Sequence, residues 1–187
     1  QLASSIRRTQ EWLIELGVRA GDRVMVVCEN CKAVVAILFA TTELDAWPVL
    51  VNARLSPREI DEIREHCGAR LVLFTTDVSA HAGQHAKRHG AVIKAVPALG
   101  VIGVGALDTP ASPEPLDPKV GNRIAALIYT SGTTGLPKGV MLTHSNLLFV
   151  ATASADIRKL DSQDRLYGVL PISHAVGLSV VLLGALL

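Results

Sequence analysis

Apolar positions along the chain follow two rhythms, and the switches between them predict alternating helices and strands. Leu2, Ile6, Leu13 and Leu16 fall near helical spacing, so "QLASSIRRTQEWLIELG" reads as an amphipathic helix with charges throughout. Gly17 and "AGD" at 20–22 supply a turn, and "RVMVVCEN" then reads as a short buried strand bounded by charge and Asn30. "KAVVAILFATTELDA" has helical length and an apolar face, and "WPVLVNA" reads as a second strand with Pro48 at its start. The clearest local signal is "LSPREIDEIREHCGAR". Ser56 is placed to cap a helix, Pro57 takes its first position, and Glu59 is the third-position acid of a capping box. Ile60 and Ile63 give that helix an inward stripe, Gly68 stops it, and "ARLVLFTT" follows as a third strand.

Strand, helix, strand, helix, strand with short connections implies parallel pairing through right-handed crossovers. The expected fold is α/β: a mainly parallel, doubly wound sheet flanked by helices. Residues 78–90 read as a further helix, and 91–96 and 99–104 as short strands. "DTPASPEPLDPK", with four prolines and no periodicity, reads as a surface linker. It divides the chain into an α/β unit at 1–107, the linker at 108–119, and a third segment at 120–187. Within that last segment "IAALIYT" is a buried strand, "HSNLLFVATASADIRKL" a helix capped by Thr143, "DRLYGVLPIS" another strand, and a helix begins at 174.

Composition narrows the function classes. At 187 residues, with 49% hydrophobic and few aromatic positions, the chain suits an α/β core of Val, Leu, Ile and Ala. A net charge of +1 gives no case for nucleic acid or an anionic membrane. Three cysteines make no disulfide framework and fit a reducing, cytoplasmic compartment. The longest apolar run, "AVGLSVVLLGALL", is shorter than the roughly 20 residues of a spanning helix. That run stops bare at Leu187, and no methionine opens the chain, so a fragment of a longer protein is expected. A bare apolar end would also favour self-association into a homodimer, native or artificial.

The candidate chemistry lies in "LIYTSGTTGLPKGVMLTH", 127–144. Gly132, Gly135 and Gly139 let the backbone turn sharply and approach a ligand closely. Thr130, Ser131, Thr133 and Thr134 place four hydroxyls within five residues, and Lys138 adds a point charge suited to phosphate oxygens. A nucleotide triphosphatase loop would put Ser or Thr after its lysine and lead into a helix. Here Pro137 precedes the lysine and Gly139 follows it, which speaks against that chemistry. By composition alone, an ordinary Gly- and Thr-rich turn would also account for the stretch.

The whole string "YTSGTTGLPKGVMLTH" resembles the signature of the adenylate-forming superfamily, which includes acyl-CoA synthetases, peptide-synthetase adenylation domains and firefly-type luciferases. "VMVVCENCKAVVAILFA" and "VNARLSPREIDEIREHCGARLVLF" are similar to upstream segments of acyl-CoA synthetases. "LPISHAVGL" is similar to their proline–histidine–glycine segment, with Ser173 where a bulky aromatic is commoner. The resemblance covers nearly the whole chain but only the amino-terminal part of a family member.

The resemblance implies an ATP-dependent carboxylic acid–CoA ligase, of the kind that serves fatty acid metabolism. Such an enzyme uses magnesium to form an acyl-adenylate and pyrophosphate, then an acyl thioester of coenzyme A. Matching the motif residue by residue, Thr130, Ser131, Gly132, Thr133, Thr134, Gly135 and Lys138 would hold the ATP phosphates. His174 would line the acyl pocket and the thiol path; a partly buried helix-capping histidine is the plainer reading. No metal ligand is assigned in this chain, because the family's magnesium, ribose and catalytic-lysine segments lie downstream. The fragment alone is therefore expected to be inactive. From a different class, the alternative is a naturally short, noncatalytic nucleotide- or partner-binding module.

Three sharper patterns carry less weight. Cys28 and Cys31 form a C-x-x-C after a strand, yet look incidental beside Asn30, where the family commonly has asparagine. His81, His85 and His89 recur every four residues, for which a solvated helix face is the expectation rather than a metal site. "GVIGVGALD" lacks the third glycine of a dinucleotide motif and reads as strand and turn.

Overall fold

The structure, a computed structural model, describes residues 1–131 and 137–187, with Ser131 described at its backbone alone. Five helices and seven strands alternate among these residues. The helices are α1 (Leu2–Glu15), α2 (Lys32–Glu43), α3 (Pro57–Cys67), α4 (Ala80–Arg88) and α5 (His144–Arg158). The strands are β1 (Arg23–Cys28), β2 (Trp47–Asn52), β3 (Leu71–Phe74), β4 (Val92–Val96), β5 (Gly100–Val104), β6 (Ile124–Ser131) and β7 (Pro137–Thr143). They form one sheet in the order β4-β5-β3-β1-β2-β6-β7. β1 pairs in parallel with β2 and β3, and β2 with β6. β5 joins β3 antiparallel, β4 and β5 make a hairpin, and β7 folds back antiparallel on β6 at the far edge.

β1 shows why its sequence is an unbroken apolar run. Val24, Val26 and Cys28 face one core with Leu13, Val34, Ile37 and Leu147. Met25 and Val27 face the other, with Ile60, Ile63, Phe74 and Ala82. A strand covered on both faces has no polar side to alternate with. α3 carries the expected capping box: Ser56 N–H donates to Glu59 Oε2 at 2.8 Å, and Glu59 N–H returns a bond to Ser56 Oγ at 3.3 Å. Gly68 closes it in the left-handed region, at φ 57°. Thr143 caps α5 through Asn146, also as expected.

Two expectations need correction. "DRLYGVLPIS" is not a strand: 164–173 carries no ladder. β1, whose carboxyl end it passes, already has β2 and β3 on its two edges, so no strand is left there to pair with. The helix expected from 174 starts at Ala175, widens into a π-helix over Gly177–Leu182 and tightens to a 3-10 turn over Leu183–Ala185. No helix among the described residues is long and apolar enough to cross a membrane.

The proline-rich 108–119 has no helix or strand beyond a few bends and turns, yet it is strapped to the amino end of β1. Arg19 and Arg23 donate to the Ala111 and Ser112 carbonyls, Arg23 pairs with Glu114, and Glu114 N–H bonds Gly21 O. Beneath the strap, Asp22 has a fully buried side chain, which accepts from Arg19 Nη2 at 2.9 Å and lies 3.0 Å from Arg70 Nε. Arg70 also donates to the Gly17 and Asp108 carbonyls.

The cysteine pattern resolves as packing, and a third expectation needs correction: the histidine row is not a solvated helix face, because His85 is buried. Burial pushes the Cys28 thiol far up and the Cys67 thiol to about 11; half-buried Cys31 is raised for the same reason. These are inert thiols, not a redox pair. His85 is buried and its Nε2 meets the Ala53 and Leu55 carbonyls at 3.1 and 3.2 Å, tying α4 to the β2–α3 turn. His89 faces Asp61 instead, and His81 is exposed, so the three do not converge.

Asp22→Ala leaves the Arg70 guanidinium buried beside an empty site, and should cost about 3 kcal/mol in a urea melt. At pH 8 the thiolate fraction of Cys67 is on the order of one in a thousand, from its raised value. Iodoacetamide should therefore spare Cys28 and Cys67 in the native chain and label all three cysteines once denaturant is added, read by intact mass.

Candidate active site

The parallel strands β1, β2, β3 and β6 all end on one edge, where open α/β sheets bind ligands. Thr130 lies at that end of β6. The chain returns as β7, with Thr130 opposite Lys138 and Ser131 opposite Pro137. Directly opposed residues of an antiparallel pair share a face of the sheet. Thr130 and Lys138 therefore stand together, both exposed, on either side of residues 132–136. Gly132, Thr133, Thr134 and Gly135 lie outside the described residues, as does the Ser131 side chain.

The return of the chain as strand β7 has no counterpart among the sequence expectations. Gly139 explains it. It opposes Tyr129, on the other face from Thr130 and Lys138. A Cβ on Gly139 would sit 3.2 Å from the Tyr129 ring and 3.4 Å from Leu127. The residue after the lysine is thus glycine because an aromatic ring lies over it. Tyr129 is itself held by α3, since its hydroxyl meets His66 Nδ1 at 2.7 Å with the rings edge to face. Burial, reinforced by nearby Cys67, pushes the Tyr129 phenol up, so it remains a neutral hydrogen-bonding group. His66 is a site-supporting residue that no motif pointed to.

His174 is exposed, at the turn leading into the π-helix. Its N–H bonds Pro171 O at 3.0 Å, and Leu178 N–H bonds its carbonyl at 2.9 Å. Its ring Nδ1 accepts from Val176 N–H at 3.4 Å, the second residue of the helix that starts at Ala175, so the helix-capping reading holds, although the ring is exposed rather than partly buried. Beside this turn, at the carboxyl ends of β1 and β2, is an open cleft of about 510 Å³ lined by Glu29, Asn30, Asn52, Arg54 and Val169. Arg54 holds the Glu29 carboxyl below the usual carboxylate range by hydrogen bonding. Among the described residues no group of three His, Cys, Asp or Glu is placed to hold a metal ion.

An edge carrying a Gly- and hydroxyl-rich loop, a lysine and an adjoining cleft can bind a polyphosphate and a second ligand side by side. A family model described as "AMP-binding enzyme" matches residues 1–187. The chain is 36% identical to a feruloyl-CoA synthase of Amycolatopsis sp, over 100% of this chain and 36% of that protein. It superposes on ATP-bound MatB from Rhodopseudomonas palustris with a TM-score of 0.73 at 27% identity, covering 98% of this chain and 37% of that one. An inhibitor-bound N-terminal domain of FACL13 from Mycobacterium tuberculosis gives 0.73 at 27%, with 99% and 47% covered. The chain thus spans little more than a third of the synthase's length. Motif, sheet order and family match agree, and the chain belongs to the AMP-binding enzymes.

Proposed function

We propose that this chain carries the ATP-phosphate loop and part of the acyl pocket of a carboxylic acid–CoA ligase. The observation that carries the reading is the β6–β7 hairpin, which sets Lys138 opposite Thr130 at the ligand-binding edge of the sheet. In the proposed reaction a carboxylate oxygen attacks the α-phosphorus of ATP, the bond to the β-phosphate oxygen breaks, and pyrophosphate leaves. Negative charge grows on the departing oxygen. The Lys138 ammonium and the hydroxyls of Thr130, Ser131, Thr133 and Thr134 stabilise it, with Gly132 and Gly135 allowing close approach. Magnesium would neutralise the same phosphates; we place its ligands outside these 187 residues. His174 lines the acyl pocket and the path of the coenzyme A thiol, which displaces AMP from the acyl-adenylate.

The relatives' printed names support an acid–CoA ligase, and the ATP-bound neighbour supports the nucleotide. The three free cysteines suit a cytoplasmic setting. With the adenine and ribose contacts placed elsewhere in a longer parent, the 187-residue chain binds ATP through its phosphates and has negligible adenylation activity of its own.

Titration of the chain with a fluorescent ATP analogue tests the assignment. Lys138→Ala should weaken binding about 10- to 100-fold, the loss of one charge-assisted contact. Absence of binding by the unmodified chain would sink the reading. ATP–pyrophosphate exchange should stay at background with any acid; a clear acid-dependent signal would show a complete adenylation site here.

A further inference from the structure

The segment leading to His174 carries no ladder, yet its backbone is not bare. Asn30, two residues beyond β1, donates from Nδ2 to Gly168 O at 2.9 Å and to Leu170 O at 2.8 Å. Its Oδ1 accepts from Ile172 N–H at 2.9 Å. A single side chain thus holds the backbone at 168, 170 and 172, where no ladder does. Both amide donors and the acceptor are engaged across a separation of about 140 residues.

Asn30 has an obvious competing use, which it does not take. Asparagine is among the best helix caps, and α2 begins two residues later with Cys31 at its cap position and no side-chain cap bond. The amide is directed to 168–172 instead. From Ile172 the constraint passes into the turn. Pro171 O holds the His174 N–H, and Gly177 packs so closely that a Cβ there would run into the Pro171 and Leu170 carbonyls. Val176 N–H then faces His174 Nδ1. A chain of bonds and one close contact joins the end of β1 to the imidazole.

We propose that Asn30 is a positioning residue: its carboxamide fixes the 168–172 segment and thereby sets where, and in which tautomer, the His174 ring stands at the carboxyl edge. This rests on the reading of His174 as part of the acyl and thiol path, and Asn30 itself touches no reacting atom.

The test uses Asn30→Asp in the 187-residue chain, followed by nitrogen-15 NMR. The aspartate keeps the shape and the acceptor but turns lone pairs towards two carbonyl oxygens. Amide exchange at Ile172, His174 and Leu178 should accelerate about 5- to 10-fold, the loss of ordinary hydrogen bonds. The His174 ring should shift from the Nε2–H tautomer towards the mixture of a free imidazole. Gly168→Ala, where an added Cβ meets nothing within 4 Å, should leave both readouts unchanged. Exchange and ring signals unchanged in Asn30→Asp would overturn the proposal. So would equal acceleration throughout β1 and β2, which would make Asn30 a general stability residue. The ATP titration of the same variants keeps the two readings apart. An unmodified chain that binds no ATP defeats the ligase assignment and leaves the clamp measurement standing.

Discussion

Parallel strands in one sheet must all end on the same edge, and that constraint arranges this molecule. β1, β2, β3 and β6 finish together. Their exits, at Glu29 and Asn30, at Asn52 and Arg54, at Thr75, and at Thr130, therefore collect on one side without any being selected for proximity. Crossover helices cover both faces of the sheet, which leaves the strand ends as the place where polar backbone can meet a ligand. The antiparallel additions lie outside this set: β4 and β5 extend one margin, and β7 closes the other while returning Lys138 to the site.

The hairpin at that margin sets the chain apart from the loop of nucleotide triphosphatases. A loop that runs into a helix offers its anion the helix N-terminus and the hydroxyl following the lysine. Here the lysine is followed by a strand, and strand pairing puts the next residue under Tyr129. A side chain at 139 would sit tightly against that ring, its Cβ at 3.2 Å. The close ring favours a residue without a side chain at 139. The support then passes through Tyr129 to His66 and so to α3, whose own start is fixed by the Ser56–Glu59 box.

Much of this was legible in the sequence where the signal is local. The Ser56–Pro57–Glu59 start and Gly68 stop of α3 are spelled out by residues within one turn of each other. β1 is legible because its apolar run, Val24 to Cys28, needs no partner to declare itself. What stayed hidden depends on pairs distant in the chain. "KGVMLT" alternates too weakly to announce β7, and its pairing depends on Tyr129 ten residues earlier. "DRLYGVLPIS" has the composition of a strand, and its failure to be one is decided by the occupancy of β1's two edges. Asn30 reads in sequence only as a strand boundary and a family position, and its partners at 168–172 lie about 140 residues away, so its bridging role stayed hidden. The family motif supplied the site residues; it could not supply what holds them.

The two edges of the sheet are secured in different ways, and the difference follows from what each must do. At the amino edge a buried carboxylate, three arginines and a proline-rich strap bind the strand starts together; none of these groups belongs to the candidate site. At the carboxyl edge the supports are single side chains at the surface or partly buried: Asn30 beneath the His174 segment and His66 beneath the hairpin. Buried ionic contacts are strongly destabilising to break, whereas half-exposed hydrogen bonds open at modest cost. Local opening is therefore easiest at the carboxyl edge. The rigid edge carries the fold, which lets the ligand edge be held by contacts weak enough to move.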